Sequence, residues 1–431
     1  MADIQYKCPN CGGSLTFNSK TQMVECEFCG STYSPDEVKK HAEELAKAEE
    51  KVLDWGDGEN TSEFSQKELE GLRVFHCDSC GGELIADENT SATSCPYCGS
   101  PVILKGRLQG ALKPDRIIPF KSSKEDLAPT FTSYMKKKVF VPNAFKKEHS
   151  VEEIKGIYVP FWLHDAGVRG NVFYKGMIER KWRSGDYEYV EKSYYSITRG
   201  GSMYFDHIPI DGSKALDDKL MESIEPFDYN ESVPFEPVYM SGFLSDKYDV
   251  SKEEVFPRAS QRIVQGTVDQ FRTTIRGYDE VNYESHDLEL YDTSVTYALY
   301  PVWMMTTKWR EKSYTFAMNG QTNKIVGNLP LSKWKYFFMF LGLLIGTWGL
   351  LVPISVFAIF DGVVDAISML APLILAWIPS VIACHKCRKD LKPVKFQRGA
   401  QNYYRAGSME VTNSSERFLY KRTNKRRINN N

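Results

Sequence analysis

Cys77–Leu84 reads CDSCGGEL and Cys95–Ser100 reads CPYCGS; 69 residues earlier the same phrases stand as CPNCGGSL (Cys8–Leu15) and CEFCGS (Cys26–Ser31). Eight of the ten cysteines therefore form four C-x-x-C pairs, Cys8/Cys11 with Cys26/Cys29 and Cys77/Cys80 with Cys95/Cys98, 14 residues separating the pairs of each set. A C-x-x-C turn points two thiolates at one ion, and glycine after the second cysteine allows the tight knuckle. Two knuckles joined by a β-hairpin give a tetrahedral site with four sulfur ligands. A segment of ~30 residues has too little core to fold alone, and a structural metal supplies roughly 10–16 kcal/mol in small peptide sites. The pattern predicts two zinc ribbons, each holding one structural Zn2+. Four thiolates close the shell and leave no position for a catalytic water. Rubredoxin-type iron would use the same ligands. Disulfides need an oxidising compartment, and the start MADIQYKCPN is polar, without an apolar run of a signal peptide. Redox C-x-x-C pairs normally follow a βαβ pattern, absent here.

Outside the ribbons, averages mislead. Among 431 residues, 54 Lys/Arg against 56 Asp/Glu give a net charge of −2, and the mean hydropathy of −0.39 is that of an ordinary soluble protein. Residues 385–431, however, carry 13 Lys/Arg and 3 Asp/Glu, leaving an acidic body and a basic tail. Two charge-free apolar stretches precede that tail, Tyr336–Phe360 and Ala366–Cys384. At 1.5 Å per residue they reach about 37 Å and about 28 Å, enough for a bilayer core of about 30 Å. The short DGVVD turn between them predicts a transmembrane helical hairpin over 331–384.

Flanking charge sets the expected orientation. Lys333 and Lys335 precede the first helix; Lys386, Arg388, Lys389, Lys392 and Lys395 follow the second; the turn holds only Asp361 and Asp365. The positive-inside rule then puts both termini in the cytoplasm, with the basic residues after the second helix against anionic lipid. Gly342 and Gly346 form G-x-x-x-G, a spacing that would permit a homo-oligomer. Cys384 and Cys387 could bind metal with outside help, carry a palmitoyl group or stay idle.

The remaining chain divides into a charged helix and flexible linker over 35–74, opened by the capping box Ser34-Pro35-Asp36-Glu37, and an α+β region over 105–330. Capping boxes start helices near Ser122, Ser150 and Ser251; strands are expected at Ile157–Leu163, Gly170–Lys175, Tyr187–Ser196, Val295–Thr306 and Ser313–Met318, and Asn319-Gly320 turns a hairpin. SKEDLAP (Ser123–Pro129) and SKEEVFP (Ser251–Pro257) echo each other, each between a Pro-Phe step and an aromatic strand, YVPFW or YPVW. Two degenerate copies of one unit would produce this. The overall expectation is a multidomain protein: ribbon 1 (1–34), helix and linker, ribbon 2 (75–104), α+β domain, transmembrane hairpin and basic cytoplasmic tail (385–431).

No P-loop, G-x-G-x-x-G, H-E-x-x-H or G-x-S-x-G occurs in the sequence. His164-Asp165 is the most enzyme-like pair, but neighbours on a strand face opposite sides. The reading is therefore not an enzyme. Ribbon 2 has Asp78, Glu83, Asp87 and Glu88 and no Lys or Arg between Phe75 and Leu104, and four thiolates round Zn2+ add about −2 more. Such ribbons suit protein contacts better than phosphate. The order of paired ribbons, YVPFW and YPVW strands, the FAMNGQTNKIVG hairpin and the C-terminal apolar helices resembles the bacterial family of TFIIB-type zinc-ribbon membrane proteins. That resemblance implies companionship with PspA-type and SPFH-type membrane-stress proteins. The function expected is a membrane-anchored adaptor docking protein partners, with a membrane-tethered nucleic-acid binder and an unrecognised enzyme as alternatives.

Overall fold

A computed structural model describes residues 15–18, 23–26, 71–87, 94–107, 112–148, 154–309, 312–356, 366–394 and 399–427, with short pieces between 31 and 69. The first ribbon's strands, β1 (Leu15–Asn18), β2 (Met23–Cys26) and β3 (Thr32–Tyr33), form a three-stranded antiparallel sheet. After it the capping box closes as expected: the Ser34 amide donates to Glu37 Oε2 at 2.8 Å and the Glu37 amide to Ser34 Oγ at 3.2 Å. Most of the helix expected beyond it lies outside the described residues.

A second, large sheet organises the rest. Its frame is four very long strands: β8 (Lys155–Ser184), β9 (Tyr187–Asp211), β12 (Glu280–Trp309) and β15 (Glu410–Arg427). They lie in the order β12-β8-β9-β15, every neighbour antiparallel. The two strands expected at 157–163 and 170–175 are thus one element. Between them the pairing of β8 with β12 shifts register, Gly167 standing opposite Tyr291 and Asp165 opposite Ser294. Gly170 has φ +137°, and a Cβ there would meet the Asp287 carbonyl oxygen of β12 at 2.0 Å, so only glycine lets the strands pass so closely. The helix start expected near Ser150 lies outside the described residues, and β8 begins at Lys155.

Short elements pack on the near end of this frame. They are β7 (Arg116–Ile117), β10 (Val233–Pro234), β11 (Leu244–Asp246), β13 (Lys312–Asn319), β14 (Ile325–Gly327), α1 (Lys124–Lys137), α2 (Asn143–Glu148), α3 (Asp218–Ile224) and α4 (Lys252–Arg272). The Ser251 cap forms as the sequence predicts, its side chain accepting from the Glu254 amide at 3.3 Å. α4 buries Val255, Ile263, Val268 and Phe271 against the sheet. The echoed segments meet across the sheet: β7 pairs antiparallel with β10, and Tyr158 and Val159 of β8 stand opposite Pro301 and Tyr300 of β12.

Two segments expected outside the α+β region are built into this body. From the end of the segment expected as a charged helix, Leu53 and Trp55 are buried; Trp55 Nε1 donates to Ser260 Oγ at 2.9 Å, and Thr293 Oγ1 donates to the Trp55 carbonyl at 2.6 Å. The basic tail is also folded. Ala400 and Tyr403 are buried, Tyr403 donates to Glu225 at 2.7 Å, and the chain then runs up as edge strand β15. Glu225 and Arg262 are a fully buried pair joined by two hydrogen bonds of 3.0 and 2.6 Å. Apolar periodicity is too sparse in the tail to reveal this, because an edge strand at a two-sided exposed sheet buries little.

Near the C-terminus α5 (Lys333–Ile354) and α6 (Ala366–Lys389) pack side by side. Among the described residues only α5 is long and apolar enough to cross a membrane, by length and composition. The second expected span is helical, but it continues past Cys384 into Lys386, Arg388 and Lys389 and contains Pro372 and Pro379. A two-span topology therefore goes beyond what length and composition establish. Gly342 and Gly346 face open space, while the contact between the helices uses Thr347 and the buried Ala376.

Candidate metal centre

β4 (Leu72–His76) and β5 (Glu83–Asp87) form a hairpin whose turn is the first knuckle. The Cys77 amide donates to the Gly82 carbonyl at 3.0 Å, and the Gly81 amide to the Cys77 carbonyl at 2.8 Å. The second knuckle repeats the pattern: Cys95 to Ser100 at 2.7 Å and Gly99 to Cys95 at 3.0 Å. Gly81 and Gly99 have φ +77° and +75°, the left-handed conformation that the glycine after each C-x-x-C supplies. β6 (Ile103–Arg107) closes on the other side of β4.

The two knuckles bring four sulfur atoms together. Cys77 and Cys98 Sγ are 3.5 Å apart, Cys80 and Cys95 Sγ 3.6 Å, and all four lie within 4.8 Å of one another. A tetrahedron with metal–sulfur bonds of about 2.3 Å has sulfur–sulfur edges of about 3.8 Å. The cluster thus has room for one such ion at its centre. The thiols alone are poorly placed to ionise: burial pushes Cys95 far up and Cys80 to about 11, while hydrogen bonds from Ser100 pull Cys98 down to about 6 against its burial. A cation at the centre would stabilise the thiolates that burial disfavours. Of the other expected ligands, Cys8, Cys11 and Cys29 lie outside the described residues, and only the backbone of Cys26, in β2, is described.

The ribbon is not a free module. β5 pairs with β11, which pairs with β8, so the metal hairpin continues the main sheet. Cys77 and Cys95 are in one core cluster with Ile118, Ile157 and Val159. Thr306 Oγ1 of β12 donates to the Tyr97 carbonyl at 2.7 Å, and Lys155 Nζ to the Ser94 carbonyl at 2.6 Å. Tyr97, between the two cysteines of the second knuckle, is buried and forms part of the wall of a cavity of about 340 Å³ with Asp217, Met304, Tyr314 and Asn328. Sequence reading missed Tyr97, Thr306 and Lys155; the aromatic in C-x-Y-C was the available signal. Among the described residues, ribbon 2 and the α+β region share one sheet through β11.

The other sequence candidates separate. His164 is fully buried, its Nδ1 3.1 Å from the Trp162 carbonyl and its ring edge-on to Trp55; burial lowers it to about 4. Asp165 faces the other side, accepting from the His207 amide at 2.7 Å and Ser294 at 2.9 Å. The pair do not converge. Cys384 is buried in the core cluster that contains Phe140 and Leu391, and Cys387 is half-buried. Lys386, Arg388 and Lys389 stand in the last turn of α6 and Lys392 follows it, all four exposed; Lys395 lies outside the described residues.

These observations define a class: a multidomain α+β protein with a four-cysteine cluster fused to its sheet and one apolar helix long enough for a membrane. The chain belongs to the family of the uncharacterized protein YdjG of Bacillus subtilis (strain 168), with which it is 32% identical over 345 residues, 80% of this chain and 95% of that protein. A 37-residue stretch, 8% of the chain, is 46% identical to DNA-directed RNA polymerase subunit Rpo12 of Thermococcus onnurineus (strain NA1), covering 76% of that subunit. No protein-family model and no solved structure matches.

Proposed function

We propose that the chain is a membrane-anchored adaptor that docks protein partners at the cytoplasmic face, within the TFIIB-type zinc-ribbon membrane group that its motifs resemble. The observation that carries this reading is the outer surface of the two C-terminal helices. On α5, Trp334, Phe338, Ile345 and Leu350 are exposed; on α6, Ile374, Trp377 and Ile382 are. A contiguous apolar surface of that extent is unstable in water and suits lipid. In this reading both helices cross as a hairpin, and Lys386, Arg388, Lys389 and Lys392 meet anionic headgroups. The ion at Cys77, Cys80, Cys95 and Cys98 is zinc, a second zinc sits at Cys8, Cys11, Cys26 and Cys29, and both are structural.

The ribbon's fusion to the sheet supports a docking role: the metal hairpin becomes a rigid shelf rather than a mobile finger. PspA-type or SPFH-type membrane-stress proteins are the partners that the resemblance suggests. Affinity purification from solubilised membranes tests this, comparing wild type with Cys77→Ser/Cys80→Ser. Loss of specific co-purifying proteins in the variant is the expected result. Recovery of the same proteins in the same yield removes the second ribbon as the docking surface.

A further inference from the structure

The basic residues from Arg417 onward are carried away from α6 by the fold. β15 pairs along β9, and the far ends of β8, β9 and β15 form a three-stranded tip beyond the end of β12. Residues 178–192 and 421–427 of this tip hold nine Lys/Arg and four Asp/Glu, a net +5 on a body that is otherwise acidic. Residues 421–427 are all exposed. The tip also carries rings. Trp182 stacks on Tyr189, and Lys425 lies 3.8 Å over the Tyr187 ring. The register puts Trp182, Tyr189 and Lys425 in one row and Ser184, Tyr187 and Arg427 in the next, on the same face. On the opposite face Tyr194 stacks on Tyr420 beside Lys175, with Lys192 and Arg422 one row further out.

We infer that this tip is a binding site for single-stranded nucleic acid, with Lys425 and Arg427 meeting phosphates and the 42%-exposed Trp182 of the same face stacking on a base. Rings interleaved with cations on an open sheet are what a flexible polyanion with flat bases requires. An anionic bilayer fits less well. α5 packs at the opposite end, against the cluster of Trp303 and Met305, level with Lys155 and Gly156. The tip is about 90 Å of strand away, at about 3.3 Å per residue. Its turn, Ser184-Gly185-Asp186, has no apolar side chain to insert. The site is separate from the ribbons and does not depend on their docking role.

The test uses the full chain in phosphatidylcholine nanodiscs, with fluorescein-labelled dT20 and U20 followed by anisotropy between 50 and 200 mM salt. Wild type is expected to bind with strong salt dependence. Lys425→Glu/Arg427→Glu should lower the slope of log affinity against log salt by about 1.4, at about 0.7 per phosphate. Trp182→Ala, a milder change, should weaken binding roughly tenfold with the slope unchanged. Both variants are compared at equal metal content and circular dichroism, and Cys77→Ser/Cys80→Ser should bind as wild type does. Failure of wild type to bind either oligonucleotide overturns the inference, as does binding that both tip variants leave intact. Equal binding of poly-glutamate, indifferent to Trp182→Ala, would assign the tip to an acidic protein instead. Tip-dependent binding to phosphatidylserine vesicles without oligonucleotide binding would assign it to lipid.

Discussion

Replacing Cys95 by serine probes how the metal knuckles and the sheet share their stability. Cys95 is 1% exposed and its Sγ lies 3.6 Å from Cys80 Sγ, so the new hydroxyl would sit in the same place with little affinity for a soft ion. If four thiolates share roughly 10–16 kcal/mol, the loss of one removes about 3 kcal/mol from the ribbon. An isolated finger would unfold completely. Here β5 remains paired to β11, and Leu84 and Ala86 remain in the core, so the damage should stay local. A deficit of about 3 kcal/mol raises local opening about 150-fold, at about 1.4 kcal/mol per tenfold. Hydrogen exchange with mass spectrometry should show that increase in peptides spanning 72–107 and none in peptides spanning 157–177. Metal analysis should show one ion fewer per chain. Retention of the full metal content, or equal acceleration along β8, would refute the placement of the ion or the local character of its contribution.

Four further outcomes follow from other parts of the fold. Tyr403→Phe removes a hydrogen bond to a buried carboxylate, worth about 1.5–3 kcal/mol, and should speed trypsin cleavage at Arg405; Glu225→Gln should cost more, about 3–5 kcal/mol, because it leaves buried Arg262 uncompensated. Burial pushes Asp246 up to about 7, so the folded state holds a proton that the unfolded chain releases near pH 4. Its stabilising contribution is full below about pH 4 and is lost as pH rises to about 7, so Asp246→Asn should raise the melting temperature at pH 8 and change it little at pH 4.5. Ile345→Lys places a charge on the exposed face of α5, costing about 2.5–3.5 kcal/mol at a bilayer centre, and should shift the protein from the membrane fraction toward the soluble one on fractionation.

What could be read in advance has a common physical character. The C-x-x-C-G knuckles were legible because tetrahedral sulfur geometry demands a fixed spacing and a left-handed glycine, both local. Capping at Ser34 and Ser251 and the hairpin at Asn319-Gly320 were legible for the same reason. Residues 336–354 announced an apolar helix through composition alone. The His164/Asp165 separation followed from strand alternation.

Tertiary structure decided everything that depends on partners distant in the chain. It fused the second ribbon to the α+β sheet through β11, seated Trp55 against Ser260 some 205 residues away, and turned a basic tail into strand β15. None of these has a local signature. An edge strand whose side chains face water on both sides needs no apolar alternation, because its stability comes from backbone hydrogen bonds to β9. A buried Glu225–Arg262–Tyr403 network is invisible when its members are 37 and 178 residues apart in sequence. The residues thus determined the metal knuckles, the caps and the apolar helix, through short-range covalent geometry and composition. The fold alone determined where the positive charge ends up, because strand pairing, not sequence proximity to α6, carries it to the far tip of the sheet.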